Sequence, residues 1–345
     1  MVRDPFEIGD IRIAPGTRQT VDLPVSALAD HTPVHMSVHV VHGKRPGPVL
    51  FVSAAIHGDE IIGVEIARRL LSAPQLGTLR GTLLVVPIVN TFGFLNRSRY
   101  LPDRRDLNRS FPGHENGSLA ARMAHIFMAE IVSRADLGID LHSAAIHRTN
   151  LPQIRVSASS PATLELAEAF GAPLILRAKL RDGTLRSEAR ARGVDALLYE
   201  AGEALRFDEM SARIGASGCL RVMHRLGMIG ARGLGRRAAE PVTARETSWV
   251  RAPASGLLRL FRETGEEVRA GQTLGIVADP FGETEFEIPA PSDGLILGRA
   301  TMPVVNEGDA IYHIADVPVT DSGHRLSQLT ADLEADPMFD EDEIL

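Results

Sequence analysis

Val49-Leu50-Phe51-Val52-Ser53-Ala54-Ala55-Ile56-His57-Gly58-Asp59-Glu60 is an apolar run that stops at a histidine and turns at a glycine. It leads into a segment where Ile62, Ile66 and Leu70 recur at four-residue spacing. A short apolar run bounded by a turn is strand material, and four-residue spacing marks one face of a helix. Repeated along a chain, the pair builds a sheet with helices packed on its faces. The pattern recurs over 47–235. Segments 82–89, 137–141, 173–176 and 196–199 are further strands, mostly apolar as a sheet covered on both faces requires. Leu119, Met123, Ile126 and Phe127 mark a second helix running to about Arg134. The expected fold class is α/β, with a mixed sheet and helices on both faces. Residues 1–46, richer in Pro and β-branched side chains, are expected to add antiparallel strands at the sheet's edge.

Beyond this region the composition changes. Gly, Arg and Ala dominate 230–244, where a linker is expected. An internal repeat follows. Ala252-Pro253-Ala254-Ser255-Gly256-Leu257 matches Ala290-Pro291-Ser292-Asp293-Gly294-Leu295, and Val268 to Gly271 matches Val305 to Gly308, at offsets of 38 and 37 residues. Two copies of a short-strand unit with Gly turns predict a small all-β domain over 245–320, its sheet closed by pseudo-twofold pairing. This region resembles the biotinyl/lipoyl-carrier barrel-sandwich fold. A carrier needs a lysine for its prosthetic group and 245–320 contains none, so a working carrier is excluded. The whole chain has only Lys44 and Lys179, which also argues against Schiff-base chemistry.

Composition narrows the function classes. The 345 residues are 44% hydrophobic and 23% charged, ordinary globular usage for a two-domain chain. Apolar runs such as 49–56 fall far short of the roughly 20 residues of a membrane helix, and the N-terminus lacks the features of a signal peptide. A cytoplasmic protein is expected. A single cysteine, Cys219, excludes an intramolecular disulfide and a Cys-rich metal site. The net charge of −7 equals that of the last 25 residues alone, an acidic tail over 321–345 expected to be solvated. The remainder is neutral and offers no basic face for nucleic acid.

Four segments carry chemistry. His57 and Glu60 form a His-x-x-Glu at the end of a strand and the first turn of a helix, the edge of an α/β sheet where ligands bind. Asp136-Leu137-Gly138-Ile139-Asp140-Leu141-His142 is another strand that ends in a histidine. Together His57, Glu60 and His142 make the donor set of a hydrolytic zinc, one ion per chain, with a fourth position for water. Asp140 is placed to orient an imidazole. In Asp106-Leu107-Asn108-Arg109, preceded by Arg99, Arg104 and Arg105, Asn108 and Arg109 offer an amide and a bidentate fork for a carboxylate. In Tyr199-Glu200-Ala201-Gly202-Glu203 a strand ends in a carboxylate fit to be a general base, with Glu203 as the rival. His147, Arg148 and Arg155 are further candidates to touch substrate, with unpaired surface positions the expected reading.

These segments, in this order, resemble the succinylglutamate desuccinylase/aspartoacylase family, relatives of the zinc carboxypeptidases. The resemblance covers about 47–230 and extends to the bipartite build. It implies that His57, Glu60 and His142 hold zinc, that Asn108 and Arg109 grip the substrate's carboxylate, and that Glu200 is the catalytic glutamate. It also implies an upstream oxyanion arginine, Arg99, with Arg104 as the alternative. The implied activity is removal of an acyl group from a small N-acyl amino acid. A metallocarboxypeptidase and a non-catalytic binding protein are the other readings. The C-terminal domain is expected to cover the mouth of the site or to pack against a second subunit in a homo-oligomer.

Overall fold

The computed structural model describes residues 3–157, 161–234 and 240–317. Its main element is a mixed sheet of 13 strands among the described residues. The central strands are β5 (Arg45–Ala54), β6 (Arg80–Val86), β7 (Leu137–Ala144) and β10 (Asp195–Glu203), with β8 (Arg148–Val156) and β9 (Leu174–Arg177) beside them. β5 is parallel to β6 and β7, and β10 is parallel to β7, which puts the carboxyl ends of β5, β7 and β10 at one edge. β3 (Thr17–Ala27) and β4 (Pro33–His42) continue the sheet past β6 as antiparallel strands. β1 (Phe6–Ile8) and β2 (Ile11–Ile13) form a separate ribbon.

Side-chain alternation along β5 explains why the sheet is covered twice. Leu50, Val52 and Ala54 enter one core with α1 (Ile62–Ser72), α4 (Pro161–Phe170) and α6 (Glu209–Arg225). Phe51 points the other way, into a second core with α3 (Leu119–Glu130) and α5 (Leu185–Ala191). A sixth helix, α2 (Thr91–Leu95), is capped by the Asn90 side chain. Successive strand side chains face opposite sides, so a run that is apolar throughout serves two hydrophobic layers at once. Gly138 on β7 lets the layers close, because the Phe51 ring occupies the space a Cβ would take.

The C-terminal repeat is two sheets of matching order. One is β16 (Glu285–Pro289), β15 (Thr273–Ala278), β13 (Gly256–Leu260) and β18 (Val304–Val305). The other is β12 (Thr247–Arg251), β19 (Ala310–Ala315), β17 (Gly294–Ala300) and β14 (Glu267–Val268). The copies exchange strands: β14 of the first repeat pairs with β17, and β18 of the second pairs with β13. That is the pseudo-twofold closure expected from the repeat, around a core that includes Leu258, Val268, Leu274, Ile296 and Tyr312.

This module is not strung on a free linker. β17 pairs with β8, so one of its sheets is continuous with the main sheet. The segment expected as a linker ends in β11 (Val242–Ala244), which pairs in parallel with β9. Residues 235–239 of that segment and the acidic tail over 321–345 lie outside the described residues. No helix among the described residues is long and apolar enough to cross a membrane.

Candidate active site

β5 ends at Ala54, and the chain turns through His57 and Gly58 toward α1. Gly58 has a specific cause: the backbone of Gly93 and Phe94 in α2 lies where its Cβ would be. Glu60 sits two residues ahead of α1, in a turn closed by the Glu60 amide donating to the His57 carbonyl at 3.1 Å, rather than in the helix's first turn as expected. His142 lies within β7, next to β5. The three side chains are buried together, and one ligand atom from each falls within 4.8 Å of the others.

Their orientation follows from hydrogen bonds. His57 Nδ1 is 2.6 Å from Glu60 Oε1, and His142 Nδ1 is 2.7 Å from Glu60 Oε2. The far nitrogens face other carboxylates: His57 Nε2 lies 3.1 Å from Asp106, and His142 Nε2 lies 2.7 Å from Asp140, itself held by the Ser53 hydroxyl at 2.8 Å. A proton kept on each Nε2 leaves both Nδ1 lone pairs and the Glu60 carboxylate facing one point. Two imidazoles and a carboxylate converging there fit a zinc ion.

The electrostatics are those of a buried cluster of opposite charges. Burial opposes charge on His57 and His142, yet Glu60 with Asp106, and Asp140 with Glu60, raise both above the ordinary histidine value. Burial alone would raise Glu60, but the two imidazoles hold it far below the usual carboxylate range. Asp106 is likewise held low, against its burial, by His57 and Arg99.

Asp106 joins this centre to the next group. It accepts from Arg99 Nη2 at 3.0 Å, and its side chain also accepts from the Asn108 amide at 2.8 Å, capping the short helix Leu107–Arg109. Arg99 also donates to Glu60 at 3.2 Å. Asn108 is 7% exposed, and its Oδ1 accepts from the Leu185 amide at the start of α5, which leaves its NH₂ as the group able to meet a ligand. Burial lowers the Arg109 pKa, and neighbouring Arg181 and Arg99 lower it further.

Glu200 stands on β10 directly opposite His142 on β7. Asn150 donates to its Oε1 at 2.7 Å and Arg155 pairs with Oε2 at 3.0 Å, both from β8. The register shifts between Glu200 and Glu203, a bulge that sends the two carboxylates to different places. Glu203 accepts instead from the His147 amide and from Thr301 of the C-terminal module.

A cavity of about 640 Å³ opens over these groups. His57, Glu60, His142, Arg99, Asn108, Arg109 and Glu200 all line it; Arg104 and Glu203 do not. Arg148 and Arg155, expected at unpaired surface positions, line it as well, because β8 lies against β10 rather than in a loop. Among the groups missed altogether, three stand out. Arg186 at the start of α5 is pushed down to about 10 by burial and by Arg155. Trp249 and His313 reach the cavity from the C-terminal module, which therefore forms part of its wall. Arg186 sits in an Arg-rich helical stretch that reads as a solvated face, whereas an isolated Trp and a His in a lysine-free carrier-like module were signals available for the other two.

Residues 46–226 match the model of the succinylglutamate desuccinylase/aspartoacylase catalytic domain. The chain is 30% identical over 288 residues to the N-alpha-acetyl-L-2,4-diaminobutyric acid deacetylase of Halomonas elongata, covering 79% of this chain and 84% of that protein. The crystal structure of a succinylglutamate desuccinylase/aspartoacylase from Rhodobacter sphaeroides superposes with a TM-score of 0.77 at 28% identity, over 87% of this chain and 96% of the other. The product-bound ectoine utilization protein of Ruegeria pomeroyi shares the fold, with a TM-score of 0.78 at 23% identity over 87% and 95% of the chains. The chain belongs to the succinylglutamate desuccinylase/aspartoacylase family.

Proposed function

We propose that this protein is a zinc-dependent hydrolase that removes the acyl group from a small N-acyl amino acid. The observation that carries the reading is the convergence of the His57 and His142 Nδ1 atoms on Glu60, with Glu200 one strand away opposite His142. The relatives named as deacetylase and desuccinylase support the acyl amino acid as substrate. The wall supplied by the C-terminal module favours a small molecule over a polypeptide.

His57, Glu60 and His142 would hold the zinc. When bound, zinc supplies a Lewis acid and lowers the pKa of a coordinated water toward about 7. Glu200 takes the proton of the attacking water and returns it to the departing amine. Asn150 and Arg155 keep the Glu200 carboxylate in place between these transfers. Asn108 and Arg109 bind the amino acid's carboxylate, so that the scissile carbonyl alone faces the reacting centre. Arg99 offsets charge developing on the carbonyl oxygen.

The test is hydrolysis of an N-acyl amino acid panel by protein of measured zinc content. Release of free amine that stops with a chelator and returns on adding zinc supports the proposal. A zinc-bearing protein that hydrolyses none of them while cleaving C-terminal residues from peptides would replace it with the carboxypeptidase reading.

A further inference from the structure

The backbone leaves β5 through one strained residue. Ala55 is fully buried with φ at +51°, in the left-handed region that residues other than glycine rarely adopt. Such a conformation persists only where its surroundings hold it. Here it turns the chain off the line of β5 two residues ahead of His57, into the turn that leads to Glu60.

The segment after β6 does the holding. The Val89 amide donates to the Ala54 carbonyl at 3.0 Å, and the Asn90 amide to the Ala55 carbonyl at 2.9 Å. The Asn90 side chain is itself fully buried and reaches two ways. Its Oδ1 accepts from the Gly93 amide at 2.8 Å, which leaves Nδ2 to donate to the Ile56 carbonyl at 3.4 Å. That contact is long for an N–H···O bond, but both residues are buried, where an unpaired amide is costly. The carbonyls of Ala55 and Ile56, the two residues ahead of His57, thus end on one asparagine.

The same asparagine also steadies the segment that carries Arg99. A Cβ on Gly93 would fall 2.6 Å from Asn90 Nδ2, and a Cβ on Gly58 would fall 2.0 Å from the Gly93 carbonyl carbon, so backbone rests on backbone between the two turns. The Gly93 carbonyl accepts from the Ser98 amide at 2.9 Å. Arg99 comes next in the chain, and its guanidinium returns to Glu60 at 3.2 Å. Two arms therefore leave Asn90 and meet again at Glu60, one through Ala55 and His57, the other through Gly93 and Arg99.

We infer that Asn90 is a positioning residue for the catalytic centre: it keeps Ala55 in its strained conformation and so fixes His57 relative to Arg99. Asn90 does not line the catalytic cavity, so it acts through these residues and not on the substrate. The inference rests on the hydrolase reading above for its catalytic consequence and deepens it. Without the Asn90 side chain, the backbone that grips Ala55 is released, Ala55 relaxes toward an ordinary conformation, and the His57 imidazole loses its alignment with Glu60 and His142.

The experiment has two readouts on the full-length protein: amide hydrogen exchange over residues 55–60 in the metal-free state, and zinc affinity by competition with a chromogenic chelator. Asn90→Ala should speed that exchange at least tenfold and weaken zinc by about 10- to 100-fold, the usual effect of losing a partner that orients a ligand. Asn90→Ser keeps an acceptor to cap α2 but loses the amide donor, and should show most of the same loss. Ala55→Gly removes the cost of the left-handed conformation, so combining it with Asn90→Ala should recover most of both readouts. A role confined to folding would show no such recovery. Wild-type exchange and affinity in Asn90→Ala, full retention in Asn90→Ser, or no recovery with Ala55→Gly overturns the inference. A wild-type protein that takes up no zinc rejects the hydrolase reading, while the exchange readout still decides the role of Asn90.

Discussion

Asn150 donates to the Glu200 carboxylate at 2.7 Å while its own residue pairs with Gly298 of the C-terminal module. The proposed base is thus held by a strand that the module itself braces. Gly298 leaves room for the Asn150 side chain, whose Oδ1 occupies the space a Cβ would need. Gly298→Ala should therefore displace Asn150 and lower kcat, with KM for the substrate little altered. Steady-state kinetics beside a thermal melt checks this; unchanged kcat in a folded variant would show that Asn150 is dispensable.

Glu200→Gln should retain zinc and lose roughly two to four orders of magnitude in turnover, the usual worth of a general base. Metal analysis and single-turnover assays on the same sample decide it, and near-normal turnover would reassign the base.

Asp140 fixes the His142 ring through a 2.7 Å contact. Asp140→Asn should weaken zinc binding by about 10- to 100-fold, the usual effect of losing such a partner. Competition with a chromogenic chelator measures it.

Arg109→Ala should raise KM with kcat held if the guanidinium binds ground state and transition state alike. A fall in kcat at constant KM would give Arg109 a role in the transition state.

Glu209 on α6 pairs with Arg69 on α1 at 2.7 Å, and the Arg69 hydrogen bond holds its pKa down at about 2. A carboxylate lowered on folding contributes stability above its unfolded pKa, and that contribution fades as pH falls through the folded value. Because Glu209 is half-exposed, the contribution is that of a surface pair, about 0.2–1 kcal/mol. Denaturation of Glu209→Gln should show this deficit at pH 7 and little of it near pH 2.

What could be read from the sequence divides along physical lines. β5, β7 and β10 were legible because side chains packed between two helical layers are apolar on both faces, and such runs stand out. His57, Glu60 and His142 were legible because each interrupts or ends such a run. β8 was not: Arg148, Asn150 and Arg155 break any apolar pattern, since these side chains line a cavity instead of a core. Glu200 and Glu203 stand in nearly the same local sequence, and only the bulge between them separates their destinations. His313 and Trp249 depend on how two distant parts of the chain meet, which no local window contains. The repeat, by contrast, announced its strand exchange, because two copies of one half-sheet can bury their apolar faces only against each other.

The joining of β17 to β8 makes the roof of the cavity and the neighbour of the base a single mechanical piece. Exchanging the C-terminal module for that of a relative would alter substrate choice and the seating of Glu200 together. Selectivity in this protein should therefore be hard to graft wholesale, and easier to shift through single side chains that face the cavity.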